Sequence, residues 1–101
     1  MSQVHHERLA WDSARTVVTA IEANYWPWLA YQLGERIAPE LREHVVDSFV
    51  RLNNRPEQFS AEVGIWRAVF TDVLNSRPHT SEVLADLMAE TRHQMQMPVA
   101  V

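Results

Sequence analysis

Apolar residues recur at intervals of three and four along most of the chain, which is the spacing of one face of an α-helix. Proline divides this pattern into segments, because it disrupts a helix interior but is tolerated in the first turn. The pattern predicts five helices, and their approximate ranges are 5–24, 27–37, 39–53, 57–75 and 79–95. No segment alternates apolar and polar residues as a half-buried strand does. The sequence therefore predicts an all-α fold, a compact bundle of four to five short helices joined by turns that begin at proline.

Each predicted helix has an apolar stripe that we expect to face the core. The inward residues expected for the first two helices are Ala14, Val17, Val18, Ile21, Tyr25, Trp28, Leu29, Leu33 and Ile37. Those expected for the third are Leu41, Val45, Phe49 and Leu52, with Val46 and Val50 widening the stripe. Those expected for the last two are Phe59, Val63, Trp66, Phe70, Val73, Val83, Leu84, Leu87 and Met88. Gly64 interrupts the fourth helix at a cost of about 1 kcal/mol relative to alanine, which predicts close approach of another helix there.

Length and composition indicate one globular domain. The chain has 101 residues, of which 47% are hydrophobic and 22% charged, and this balance is typical of a folded protein. We assign residues 1–97 to a single helical domain and residues 98–101 to a C-terminal tail. The charged N-terminal segment lacks the apolar stretch of a secretory signal, and no apolar run approaches the ~20 residues of a membrane span. We therefore expect a cytoplasmic protein without a membrane partner.

No residue pattern marks a catalytic or metal site. Cysteine is absent, no serine lies between glycines on a tight turn, and there is no glycine-rich phosphate loop. Glu40, His44 and Asp47 share a predicted helix face, but a solvated acidic face that carries one histidine is the favoured explanation. The net charge of −4 at pH 7 opposes binding to nucleic acid, which needs phosphate-neutralising side chains. We therefore predict a non-enzymatic protein with no cofactor, no metal and no nucleic-acid partner.

The stretch NYWPWLAYQL, residues 24–33, concentrates aromatic side chains around a proline. A proline at the first helical position predicts a corner between two helices, and the aromatic side chains would then fix the angle between them. An exposed aromatic patch, by contrast, would mark a binding surface. Both interpretations remain open. The candidate residues for binding a partner or ligand are Tyr25, Trp26, Trp28, Tyr31 and Trp66.

Two classes of function fit these features. The first is a helical adaptor that docks on a protein partner of unknown identity and forms a homodimer, because we do not expect so small a core to hide all four tryptophans. The second is a small-molecule-binding or natural-product accessory protein, in which Trp26, Trp28 and Trp66 line a pocket between helices. A ribosomal-peptide precursor that ends in MQMPVAV is a variant of the second class. A DNA-binding regulator is disfavoured by the acidic charge.

Most of the chain resembles a diffuse group of small all-helical bacterial proteins that are common in actinobacteria. The resemblance extends from ARTVVTAIEANYWPWLAYQLGERI through VVDSFVRLNNRPEQFSAEVGIWRAVFTDVLNSRPHTSEVLADLMAE. The pattern of the group begins with an alanine- and valine-rich helix that ends near a tryptophan. A helix over an Asn/Arg-Pro turn follows. The pattern ends with W-x-x-V-F-x-x-V-L, a second Arg-Pro turn and VLADL. The resemblance implies a regulatory or adaptor module near effector and conflict-type systems, and it supplies no catalytic residues.

Overall fold

Five α-helices make up most of residues 2–96, the part of the chain that the computed structural model describes, with side chains from His6 onward. The helices are α1 (Ser2–Glu22), α2 (Trp26–Arg36), α3 (Leu41–Asn54), α4 (Phe59–Ser76) and α5 (Ser81–Gln96). Two 3-10 turns, Pro56–Gln58 and Pro78–Thr80, lead into α4 and α5. The described range contains no strand. The predicted all-α bundle with proline-initiated turns is confirmed, and the predicted tail at 98–101 lies outside the described residues.

The helix boundaries differ from the predicted ones by a few residues. α1 begins at Ser2, before the predicted start at 5. Pro27 is the second residue of α2, which begins one residue earlier at Trp26. α3 begins at Leu41, two residues after the predicted start, because Pro39 belongs to a turn. Pro27 and Pro39 both lie where the missing amide hydrogen of proline has no partner in the helix, so each fits without loss.

A residue in the left-handed conformation makes the corner between α1 and α2. Asn24 has a φ of 69°, a conformation that asparagine tolerates better than most residues. Its amide donates to the carbonyl oxygen of Ile21 at 3.2 Å, and the amide of Tyr25 donates to the carbonyl oxygen of Ala20 at 2.9 Å. These two bonds have the pattern of a Schellman motif, which satisfies the last carbonyl groups of α1. The corner therefore combines a helix C-cap with the proline-containing first turn of α2.

α1 is the central element of the bundle, because it packs against each of the other four α-helices. Its inward residues are small, and Ala10, Ala14, Val17 and Val18 are completely buried. Small side chains let neighbouring helices approach closely, while larger side chains on those helices fill the remaining space. The large buried side chains on α2 to α5 are Leu29, Leu33, Leu41, Val45, Trp66, Phe70, Leu74, Leu84, Leu87 and Met88.

Three valines of the predicted inward stripes lie on the surface instead. Val46 and Val50 of α3 are 39% and 49% exposed, and Val83 of α5 is 38% exposed. The predicted stripes are therefore too wide, because the neighbouring helices cover a narrower face than the apolar pattern suggests. The core face of α3 includes the polar residue Ser48 in their place.

Gly64 does not make the close helix contact that its position predicts. A β-carbon added to Gly64 would meet no atom of the described chain within 4 Å, apart from those of its own helix turn. Gly64→Ala is therefore expected to raise the free energy of unfolding by about 0.5–1 kcal/mol, because alanine is the better helix former and no neighbour must move. Urea melts of the two proteins measure this difference.

Gly34 provides the matched comparison for this experiment. A β-carbon on Gly34 would lie 2.6 Å from Nη2 of Arg42, so the guanidinium group must move to admit it. We expect Gly34→Ala to give a smaller gain than Gly64→Ala. A loss of stability on Gly64→Ala would contradict the open surroundings of this residue.

Candidate functional site

The five residues predicted to form a site divide between core and surface. Trp66 is 1% exposed, so neither a partner nor a ligand can touch it while the core is closed. Tyr25, Trp26 and Trp28 are half-buried and pack against the core. Tyr31 is 57% exposed. The corner therefore uses its aromatic side chains for packing on one side and leaves aromatic surface accessible on the other.

Contacts at the start of α2 connect this helix to α3 and α5. The ring of Trp26 stacks on Phe49 of α3, with 4.6 Å between the ring centroids and 25° between the planes. The hydroxyl group of Tyr25 donates a hydrogen bond to the carbonyl oxygen of Gln94 in α5 at 3.3 Å. An aromatic pair in this geometry contributes about 0.5–1.5 kcal/mol beyond the area that it buries. These contacts hold the corner at a fixed angle.

An exposed apolar strip runs along the outer side of the α2–α3 pair. It consists of Tyr31, Val46 and Val50, and these three residues form the α2–α3 strip. Arg42 of α3 reaches back to within 5.9 Å of the Tyr31 ring centroid, and Val46 and Val50 follow Arg42 at one-turn intervals. Half of the six large apolar side chains that are exposed in the described range belong to this strip, so exposed apolar surface is concentrated there.

A second accessible aromatic side chain lies where α1 meets α4. Trp11 is 44% exposed. The guanidinium carbons of Arg15 and Arg67 lie 5.9 Å and 5.2 Å from the centroid of its ring, within the range of cation–π contacts. Among the described residues, neither guanidinium has a carboxylate within 4 Å. This surface thus presents a tryptophan together with two positive charges.

A buried carboxylate connects α3 to α4. Glu62 is 2% exposed and accepts hydrogen bonds from Oγ of Ser48 at 2.6 Å, from Nε of Arg51 at 2.6 Å and from Nη2 of Arg51 at 3.0 Å. The indole N–H of Trp66 donates to Oγ of Ser48 at 2.7 Å. Burial alone would raise the pKa of Glu62. The hydrogen bonds from Arg51 and Ser48 and the charge of Arg51 outweigh it, so the pKa of Glu62 lies below its ordinary value.

The geometry of this network suits packing rather than reaction. Ser48 is completely buried, and its oxygen already accepts from Trp66 and donates to Glu62. A nucleophile must reach its substrate, and this hydroxyl group cannot. Arg51 reaches the surface, and it lines an open cleft of about 350 Å³ together with Glu62, Asn54, Arg55 and Gln58. Glu62 is not among the site residues predicted from the sequence. The available signal was its position one turn before Trp66, on the inward stripe of α4.

Within the described residues, no three histidine, cysteine, aspartate or glutamate side chains are close enough together to hold a metal ion. His44 shares its predicted helix face with Glu40 and Asp47. Its ring lies edge-on to the ring of Trp66, with 5.9 Å between the ring centroids. An open cleft of about 540 Å³ lies between α1 and α5. Its lining residues are Asp12, Arg15, Thr16, Thr19, Arg92, Met95 and Gln96. None of the five predicted aromatic residues belongs to this cleft.

Known proteins give no assignment for these surfaces. No protein family, no curated protein and no solved structure matches the chain. In the part of the chain that is described, none of the helices combines the length and the apolarity needed to cross a membrane. Function must therefore be inferred from the surfaces and contacts of the chain itself.

Proposed function

We propose that this chain is a non-enzymatic protein–protein interaction module of the adaptor type, which forms a homodimer through the α2–α3 strip. The observation that carries the proposal is the exposure of Tyr31, Val46 and Val50 on one side of the α2–α3 pair. Burying this apolar surface against a second copy would be favourable, because apolar area gains free energy when it leaves water. In a two-fold symmetric dimer each copy contributes the same surface, so a single strip is sufficient.

The surroundings of the strip support this role. Arg42 and Glu35 form an ion pair of 3.2 Å at its edge, with both side chains about half exposed. An apolar centre bordered by charged residues is the usual arrangement of a protein–protein interface. The resemblance to small helical bacterial proteins favours a regulatory adaptor in the bacterial cytoplasm.

The alternative role in small-molecule binding has less support. It requires Trp26, Trp28 and Trp66 to line one pocket, but Trp66 is buried in the core and Trp26 is covered on one face by Phe49. Without an aromatic pocket of this kind, no particular observation favours a ligand over a protein partner.

Light scattering of the purified chain is expected to give the mass of a dimer. Val50→Glu is expected to give a monomer with unchanged helicity, because the substitution would place a charge in the dimer interface. Val83→Glu is the matched control, since Val83 is also exposed but lies on α5, outside the strip. A native chain that remains monomeric at all concentrations, or a dimer that Val50→Glu leaves intact, would contradict the proposal.

A further inference from the structure

We propose that the surface where α1 meets α4 is a second docking surface, which binds an acidic helical segment of a partner protein. This surface is the α1–α4 seam, formed by Trp11 and Arg15 of α1 and by Gly64 and Arg67 of α4. The proposal rests on the proposed function, because it names the partner class of an interaction module. It uses residues separate from the α2–α3 strip, so the two surfaces can be tested independently.

Trp11 supplies the apolar anchor of the seam. Trp11 is 44% exposed, although a side chain of this size contributes most when it is fully covered. Arg15 and Arg67 both lie against the ring, which limits its orientations before any partner arrives. Tryptophan and arginine are the residue types most enriched among the side chains that dominate binding energy at protein interfaces. The seam therefore presents a preformed anchor.

The charge of the seam indicates the charge of its partner. The chain as a whole is acidic, with a net charge of −4. Among the described residues, three of the nine arginines pair with glutamates, in the pairs Arg36–Glu90, Arg42–Glu35 and Arg51–Glu62. Of the other six, Arg15 and Arg67 are the two that lie against the Trp11 ring. In the described structure, Arg15 and Arg67 have no such carboxylate within 4 Å. Carboxylates of a partner would complete their charge-assisted hydrogen bonds, so an acidic segment fits and a basic segment does not.

Two neighbouring carboxylates border the seam without occupying it. Asp12 follows Trp11 in the sequence but lines the cleft between α1 and α5. Glu7 lies one turn before Trp11 and lines a small cleft with Thr71 and Asn75, toward the end of α4. Arg15 lines the same cleft as Asp12 and also lies against the Trp11 ring, whereas Arg67 lines neither of these two clefts. Arg67 is therefore the positive charge most clearly separated from the neighbouring carboxylates.

The shape of the seam indicates that its partner is a helix. Gly64 lies three residues before Arg67, so the two residues share one side of α4. No atom outside the helix turn of Gly64 lies within 4 Å of the place where its β-carbon would be. Glycine on a helix surface lets a second helix backbone come close, at interaxial distances of about 8 Å. The backbone of a helix that lies along the seam could then approach Gly64 closely, while the apolar side chains of that helix pack on Trp11.

The probe for this site is a synthetic amphipathic helix of roughly 18 residues, about five turns, with leucine on one face and glutamate on both flanks. Heteronuclear NMR titration of the full chain is expected to shift the indole N–H signal of Trp11 and the amide signals of Gly64 and Arg67. Trp11→Ala and Gly64→Leu are each expected to weaken binding about tenfold, through loss of the anchor and through obstruction of the backbone contact. Circular dichroism verifies that both variants remain folded.

Matched controls distinguish binding at the seam from a general effect of the charge of the chain. Arg92→Gln removes one positive charge outside the seam and is expected to change the affinity by less than about twofold, whereas Arg67→Gln weakens binding about tenfold. A lysine version of the probe should not bind. Equal binding of the lysine probe, the same shifts with inorganic phosphate alone, or no shift at the seam at about 1 mM glutamate probe would overturn the proposal. If the native chain is monomeric but still binds the probe, the proposed dimer is contradicted and the proposed docking surface is not.

Discussion

Trp66→Ala is expected to lower the free energy of unfolding by about 3–5 kcal/mol, the range for removing a large aromatic side chain from a core. Trp66 is 1% exposed, packs against Phe70 with 5.3 Å between the ring centroids, and donates its indole N–H to Ser48. Alanine would leave a cavity between α3 and α4 and remove one hydrogen bond of the buried network. A domain of this length has a total stability of about 5–15 kcal/mol, so the variant would be close to unfolding at room temperature.

Urea melts measure this loss, and Trp11→Ala is the matched control. Trp11 is 44% exposed, so the same substitution there is expected to cost less than about 1 kcal/mol. A variant at position 66 without any cooperative transition would agree with the expectation, since it would be unfolded before urea is added. Equal losses at positions 11 and 66 would contradict the placement of Trp66 in the core.

Arg51→Met is expected to lower the free energy of unfolding by about 2–3 kcal/mol at pH 7. The substitution leaves the buried carboxylate of Glu62 with Ser48 as its remaining hydrogen-bond partner, and uncompensated buried charges are strongly destabilising. We expect this loss of stability to be smaller than the usual 3–5 kcal/mol for breaking a buried pair. The Arg51 side chain is about half exposed, so water reaches its end of the pair.

The effect of Arg51→Met should depend on pH. In the native chain the pKa of Glu62 lies below its ordinary value, so its charged form stabilises the fold above about pH 4.3, and this contribution is lost as the pH falls through the folded pKa. Without Arg51, burial raises the pKa of Glu62, and protonation removes the cost of the buried charge. The difference in stability between the two proteins should therefore shrink as the pH falls from 7 toward about 4.

Arg42→Met provides the control for this pH dependence. Arg42 pairs with Glu35 at 3.2 Å, and both side chains of this pair are about half exposed, whereas the carboxylate of the Arg51–Glu62 pair is buried, so the loss should stay below about 1 kcal/mol. A loss for Arg51→Met that is the same at every pH would show that the network does not depend on the charge of Glu62.

The sequence predicts the helices of this fold well because two independent signals agree on them. Apolar periodicity marks each inward face, and proline marks the start of each segment from Pro27 onward. The width of each buried face is less predictable, because it depends on which neighbouring helices pack beside it. Val46 and Val50 show this limit, since their spacing suits the core but no helix within residues 2–96 covers them.

The candidate surfaces were only partly predictable from the sequence. The cluster around Pro27 directed attention to α2, but periodicity could not distinguish the buried Trp66 from the exposed Tyr31. The burial of Glu62 was not predicted, because a glutamate in the first turn of a helix is usually solvated and because its partners Ser48 and Arg51 lie on another helix. Trp11 meets Arg67 only through the packing of α1 on α4, a contact between residues far apart in the chain.

The central position of α1 has a consequence for synthesis of the chain on the ribosome. α1 emerges before every helix that covers it, and its most extensive partner, α4, follows only after α2 and α3. At roughly 5–20 residues per second, the intervening chain takes several seconds to appear. During this interval the apolar side of α1 has only α2 and α3, or a chaperone, to shield it from water. The nascent chain therefore cannot close its core until the fourth helix has been made.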